Sequence, residues 1–214
     1  MHTDLAARAQ LHAALGEEHR LAIVEELAAS DRSPGELGRR FGLPTNLLAH
    51  HLDVLEEVGL IERFVSAGDR RRRYVRLRRQ PLVDLGHSTA HPTGTVSFVC
   101  SHNSARSQLA AALWRDRTGE NALSAGTDPA ERVHPLAVAA AERAGLDLSD
   151  ARPRLLDPSV TAGVVVTVCD RAHEELDAEP DWWHWSIPDP VPAGTDAAFD
   201  AVVAELDERI GAIT

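Results

Sequence analysis

The chain has 214 residues, 43% of them hydrophobic, and a net charge of −11 at pH 7. That length can bury one large or two modest cores. No apolar run approaches the roughly 18 residues of a membrane span, and the first residues lack the charged-then-apolar pattern of a secretion signal, so a cytoplasmic location and no membrane partner are expected. Two cysteines in so long a chain do not make a disulfide scaffold, and in a reducing compartment they point to chemistry. The charge is uneven: residues 1–80 hold thirteen arginines against twelve acids, a net of +1, and the remainder nine against twenty-one, a net of −12. Only the first third is therefore suited to approach a polyanion.

The first third reads as helices and a hairpin. Leu5 to Leu15 and Glu17 to Ala29 carry apolar residues at helical spacing. Ser33-Pro34-Gly35-Glu36 is a capping box with proline at the first helical position, starting a short helix that ends near Phe41. Gly42-Leu43-Pro44 is a tight turn. Thr45 to Val58 is a fourth helix closed by Gly59. Leu60 to Val65, a turn at Ser66–Asp69, and Arg70 to Leu77 form a β-hairpin. Helix, turn, helix and hairpin make a winged helix-turn-helix. Arg70, Arg71, Arg72, Arg73 and Arg76 concentrate positive charge at the hairpin tip.

Residues 80–94 are rich in Pro, Gly, Ser and Thr with no sustained period, and read as a linker with an apolar anchor at Leu82, Val83 and Leu85. Beyond it come strands and helices in alternation. Val96, Phe98 and Val99 lie on a strand, Gln108 to Trp114 on a helix, and His134 to Ala144 on another. Asp157-Pro158 starts a short helix, Val164 to Val168 is a fully apolar strand, and Thr195 to Ile213 closes the chain as a helix. The pattern predicts a doubly wound α/β domain with a parallel sheet.

The chemistry concentrates in Val-Cys-Ser-His-Asn-Ser-Ala-Arg-Ser, Val99 to Ser107. A strand, a tight loop and a helix N-terminus, with cysteine at the loop's start and arginine six residues on, form a trap for a tetrahedral oxyanion. The loop's N–H groups from Ser101, His102, Asn103, Ser104, Ala105, Arg106 and Ser107 converge, the helix dipole favours negative charge, and Arg106 can fork two donors onto the anion. The same field favours a thiolate on Cys100. The eleven histidines show no tight spacing with carboxylates beyond His50-His51 and the region of His173-Glu174-Glu175, so no metal site is read.

Two resemblances carry this further. The string Asn46 to Arg63, Asn-Leu-Leu-Ala-His-His-Leu-Asp-Val-Leu-Glu-Glu-Val-Gly-Leu-Ile-Glu-Arg, and the wing Gly68 to Leu77 resemble the ArsR family of bacterial repressors. That resemblance implies that the helix from Thr45 enters the major groove of double-stranded DNA, with the wing arginines on phosphates. Because Leu47 and Ala49 occupy groove-facing turns, base readout falls to Thr45, Asn46 and His50. The arsenic-sensing members carry a cysteine pair that this region lacks. Residues 95–214 resemble the low-molecular-weight protein tyrosine phosphatase fold and its arsenate reductase branch, through the Cys100–Ser107 loop, Leu123–Pro129, Val164–Asp170 and Trp185–Pro190. That resemblance implies Cys100 as nucleophile, Asp189 as general acid and Cys169 as a second redox cysteine.

The expected organisation is thus a winged helix-turn-helix over 1–79, a linker over 80–94 and a phosphatase-fold domain over 95–214, acting as a homodimer. No bound cofactor is expected. An arsenate reductase needs an external thiol reductant, either thioredoxin or mycothiol with mycoredoxin, and relatives linked to thioredoxin have a third cysteine where Leu176 stands here. A transcriptional regulator sensing an oxyanion or redox state, and a tyrosine phosphatase acting on a phosphorylated substrate, remain open as alternatives.

Overall fold

A computed structural model describes residues 5–85, 92, 94–157, 160–161, 163–176 and 181–214. Their contacts separate into two compact units, one formed by residues up to 66 with 70–90 and the other by 91–214 with the turn residues 67–69.

The first unit contains α1 (Leu5–Leu15), α2 (Glu18–Ala29), α3 (Pro34–Phe41), α4 (Thr45–Glu57), β1 (Ile61–Val65), β2 (Arg73–Leu77) and α5 (Gln80–Asp84). The capping box forms as the sequence predicts: Glu36 N–H donates to Ser33 Oγ at 3.3 Å and Ser33 N–H donates to the Glu36 carboxylate at 2.6 Å. With Pro34 contributing no N–H, two of the three donors orphaned at this helix start are thereby satisfied. Helix α2 starts at a carboxylate instead, with the N–H groups of His19 and Arg20 donating to Glu17 at 3.2 and 2.9 Å. Burial raises the Glu17 pKa, but hydrogen bonds from His19 and Arg20 and the nearby His51 outweigh it and hold the group at about 2.

Leu27, Leu37, Leu52, Leu55, Leu60 and Val75 fill the core at 1% exposure or less. The antiparallel hairpin pairs Ile61 with Leu77 through Val65 with Arg73. Arg32 adds a third edge, exchanging both backbone hydrogen bonds with Val75. Two expectations are corrected here. Arg70 and Arg71 lie in the turn rather than the return strand, because Ser66 N–H donates to Arg72 O and closes the hairpin there. The supposed linker begins as helix α5, whose Leu82 is 6% exposed and packs into this core. Residues 86–91 and 93 of that linker lie outside the described residues.

The second unit contains β3 (Val96–Cys100), α6 (Arg106–Thr118), β4 (Ala122–Gly126), α7 (Pro135–Arg143), β5 (Val164–Thr167), α8 (Asp170–Glu175), β6 (Trp183–His184) and α9 (Asp196–Gly211). The four strands are parallel in the order β4-β3-β5-β6, flanked by the helices. The chain runs outward from β3 to one edge and returns to β5 on β3's other side. That reversal opens a crevice at the carboxyl ends of β3 and β5, where α/β sheets bind ligands. Cys100 ends β3, and Cys169 follows β5 by two residues.

The core of this unit joins Phe98, Leu109, Trp185, Phe199, Leu206 and Ile210, all at 0% exposure. Trp185 packs between Phe98, 5.8 Å away, and the Arg209 guanidinium at 5.9 Å. It is a packing residue of the core. The sequence misses α8. Leu155 makes an isolated parallel bridge to Gly126, and the short helix read to start at Asp157-Pro158 falls largely outside the described residues, which omit 158, 159 and 162.

Candidate active site

The loop after β3 is held rigidly by side chains of its own. Asn103 adopts φ 46°, the left-handed region that costs a non-glycine residue strain. Three contacts fix it there: Asn103 Nδ2 donates to Ser107 Oγ at 2.8 Å, while Oδ1 accepts from Arg154 N–H at 2.9 Å and from Gln108 Nε2 at 3.1 Å. Gly126 at the end of β4 backs the loop so closely that a Cβ there would sit 2.6 Å from Ser101 O. Ala105, the N-cap of α6, has no side chain to accept the first-turn N–H groups. The Ser107 N–H of this first turn reaches the Cys100 sulfur, and the helix dipole favours negative charge at this end.

Cys100 is 2% exposed; its Sγ lies 3.0 Å from Ser107 Oγ and accepts from Asn103 N–H at 3.2 Å. Burial pushes the thiol's pKa up, against the Arg106 charge and the Ser107 hydrogen bonds that pull it down. The thiolate expected from the loop's field alone is therefore opposed by desolvation. Arg106, 8% exposed, donates to Ile187 O at 3.0 Å and pairs through Nη2 with Asp189 Oδ2 at 3.2 Å. Arg106 and Asp189 thus meet, although the sequence separates them by eighty-three positions. Ser101 is buried and Ser104 half-buried, while His102 is exposed, with its Nδ1 2.9 Å from Asp128 O.

Cys169 is the N-cap of α8, with Ala172 N–H donating to its sulfur at 3.5 Å. Its Sγ lies 3.3 Å from Ser101 Oγ, the residue next to Cys100. The cleft at this end of the sheet is lined by Ser101, His102, Arg106, Cys169, Asp170 and Asp189. Both cysteines are free thiols. Leu176 is the C-cap of α8, and no cysteine occurs between Asp170 and Leu176.

Sequence reading missed the polar support under Cys169. Asp170 is 4% exposed and accepts from His184 Nε2 at 3.1 Å, and His184 stacks on His173 with ring centroids 4.1 Å apart. Burial raises the Asp170 pKa, but the His184 and Ser186 hydrogen bonds and the His184 charge outweigh it, leaving about 2. A carboxylate depressed from 3.8 contributes stability that is present above pH 4 and is lost as pH falls towards 2. The contribution is about 2 kcal/mol. Acid unfolding followed by tryptophan fluorescence is expected to show this loss between about pH 4 and 2, and Asp170→Asn to remove that segment of the pH dependence. An unchanged acid profile in the variant refutes the role.

In the first unit, Thr45, Asn46 and His50 are all exposed on α4, and Arg70, Arg71, Arg72 and Arg73 are exposed around the hairpin turn. Arg76 stands apart from that tip. Its guanidinium lies 4.8 Å from the Phe64 ring centroid and its Nε 3.4 Å from the buried Asp31 carboxylate, so it is committed to the fold. His51, beside His50, is buried.

The profile of low molecular weight phosphotyrosine protein phosphatases matches residues 95–214, and that of a helix-turn-helix domain matches residues 15–63. An arsenate reductase of Bacillus licheniformis is 35% identical over 128 residues, covering 54% of this chain and 91% of the relative. One from Brevibacillus brevis is 35% identical over 124 residues, covering 54% and 90%. A solved structure of arsenate reductase from Archaeoglobus fulgidus is 29% identical, with a TM-score of 0.44, covering 54% of this chain and 94% of that one. With its Cys100–Ser107 loop inside a match that spans more than half of its length, the chain belongs to the low molecular weight phosphotyrosine protein phosphatase family.

Proposed function

We propose that residues 95–214 reduce arsenate, and that residues 1–79, joined through 80–94, bind double-stranded DNA as a homodimer. The observation that carries the reductase reading is the second thiol: Cys169 Sγ stands 3.3 Å from Ser101 Oγ, beside the nucleophile's own loop. A phosphatase needs only one cysteine, because water resolves the phosphocysteine. A reductase needs a further thiol, because arsenic must leave with two more electrons than it brought. The curated relatives named above are arsenate reductases, which supports the same reading.

The steps follow from the residues present. The loop N–H groups of 101–107 and the Arg106 guanidinium bind the oxyanion, displacing Asp189 from Arg106. Cys100 Sγ attacks arsenic and forms an S–As bond. One As–O bond breaks, and its oxygen leaves as water, taking the thiol's proton by way of Asp189. Cys169 then attacks Cys100 Sγ. The S–S bond forms, the S–As electron pair passes to arsenic, the Cys169 thiol proton goes to the leaving oxyanion, and As(V) departs as arsenite, As(III). An external thiol, supplied by thioredoxin or by mycothiol with mycoredoxin, returns the disulfide to two thiols. Because Leu176 stands where a third cysteine would relay the disulfide, that reductant acts on the Cys100–Cys169 bond itself.

The test compares two substrates on the reduced full-length protein. Arsenate is expected to consume both free thiols stoichiometrically, with p-nitrophenyl phosphate turned over slowly. Rapid ester hydrolysis without thiol loss to arsenate moves the chain to the phosphatases.

For the first unit, the match to a helix-turn-helix domain and the exposed Thr45, Asn46 and His50 support DNA binding. Changing Arg70, Arg71, Arg72 and Arg73 to glutamine is expected to weaken binding to all DNA sequences alike. Every wing arginine that neutralises a phosphate adds about 0.9 to the slope of log affinity against log salt, so its removal flattens the slope by that amount. Asn46→Ala or His50→Ala shifts sequence preference instead. An arginine variant that binds as tightly as the parent at low salt refutes the wing assignment.

A further inference from the structure

The first unit gathers three metal-ligand side chains that the sequence keeps apart. Glu17 and His19 stand at the start of α2, and His51 is on α4, thirty-two positions later. Glu17 Oε1 lies 3.0 Å from His19 Nδ1, and Glu17 Oε2 lies 3.4 Å from His51 Nδ1. One ligand atom from each residue falls within 4.8 Å of the others. A tetrahedral zinc ion with bonds of 2.0–2.1 Å separates its ligand atoms by about 3.3 Å, so these side chains stand near coordination spacing already.

A second observation points the same way. His51 is 6% exposed, and neither of its ring nitrogens has a hydrogen-bond partner. Its Nδ1 is close to the Glu17 carboxylate but out of line for a hydrogen bond. Buried polar atoms are almost always satisfied, and an orphaned imidazole nitrogen facing a carboxylate and a second imidazole asks for a ligand. We propose that Glu17, His19 and His51 form a binding site for a divalent cation of the zinc class, joining the start of α2 to α4.

The donor set fixes the class. Two imidazoles and one carboxylate suit a borderline ion such as zinc, whereas magnesium and calcium take oxygen ligands and softer ions take thiolates. The carboxylate is already oriented, since the N–H groups of His19 and Arg20 hold its two oxygens. Such outer contacts aim first ligands at their metal. Two features oppose a cation. The positive end of α2 lies here, and Arg20 Nη1 is 3.9 Å from Glu17 Oε2. Arg20 is anchored elsewhere, its Nε donating to Ala14 O at 2.6 Å. With three protein ligands, the fourth tetrahedral position stays open to water. The competing account is a plain helix cap with His19 and His51 stacked on each other, ring centroids 5.5 Å apart.

The reduced full-length protein is titrated with Zn²⁺ against a chromophoric chelator, and in parallel with Co²⁺ for its absorption spectrum. The parent is expected to take up one equivalent. His19→Ala and His51→Gln each weaken that uptake roughly 100-fold or more, since even an outer-shell partner is worth about 10–100-fold. The double variant Cys100→Ser/Cys169→Ser retains it, and the cobalt spectrum lacks the strong near-ultraviolet band of a thiolate ligand. The His19 side chain is 42% exposed, so His19→Ala keeps the fold and the test stands even if His51→Gln does not. Equal affinity in the parent and His19→Ala, a cobalt–thiolate band, or no uptake by the parent overturns the site.

Discussion

Cys100→Ser is expected to abolish turnover of every oxyanion, a loss on the order of 10⁶-fold, the scale set by deleting a covalent nucleophile. Anion binding should survive it. The donors belong to the backbone of 101–107 and to Arg106, and the loop's shape is held by Asn103, Gln108 and Arg154 rather than by the sulfur. Arg106→Lys separates the two contributions. A lysine keeps the charge but not the planar fork, and it gives up both the Ile187 carbonyl and the Asp189 pair. Losing such a preorganised donor costs about 10²–10³-fold in rate, and oxyanion affinity should fall with it. Equilibrium dialysis with arsenate and single-turnover assays read the two effects separately. A Cys100→Ser protein that still turns over arsenate removes the nucleophile assignment.

The second large effect concerns Cys169. One equivalent of arsenate should convert the two free thiols of the parent protein to one intramolecular disulfide, seen as a loss of both titratable thiols and as a linked Cys100–Cys169 peptide. Cys169→Ser should stop at the Cys100–arsenic adduct, with multiple turnover reduced to the background rate. If an external small thiol attacks the adduct directly, parent and variant should consume arsenate equally in its presence, and no disulfide forms without it. That result retains Cys100 but removes Cys169 from the mechanism. The disulfide is favoured by position: Cys169 lines the cleft, one hydroxyl away from the loop that holds the nucleophile.

Features whose chemistry is local in sequence were legible before the structure. The capping box at Ser33–Glu36 carries its whole physical logic within a few residues and forms as read, and Cys100–Ser107 runs from strand through loop into helix as read. Elements set by tertiary packing were not. Gln80–Asp84 has no period of its own, and it is helical where Leu82 finds the core of the first unit. Helix α8 is six residues long, too short to announce itself, and is started by the Cys169 sulfur. The Arg106–Asp189 contact and the Asp170–His184 pair depend on loops brought together by strand order. Glu17, His19 and His51 escaped a search of adjacent histidines because two helices, not one segment, assemble them.

If Arg106 binds the oxyanion as proposed, its ion pair with Asp189 makes the protein carry its own competitor. An incoming oxyanion must win the guanidinium from a carboxylate tethered 3.2 Å away, so the measured affinity is the intrinsic one scaled by the fraction of molecules in which Asp189 has swung clear. Were that fraction one in ten, the apparent dissociation constant would be about tenfold weaker than the bare pocket's. Weakly held anions, such as chloride or a singly charged carboxylate, gain too little from the loop to dislodge the tether, whereas a multiply charged tetrahedral anion engages the N–H groups and the fork together. On the function proposed above, the carboxylate sets a threshold on charge and shape, and the anion's arrival would free Asp189 for the proposed proton transfer.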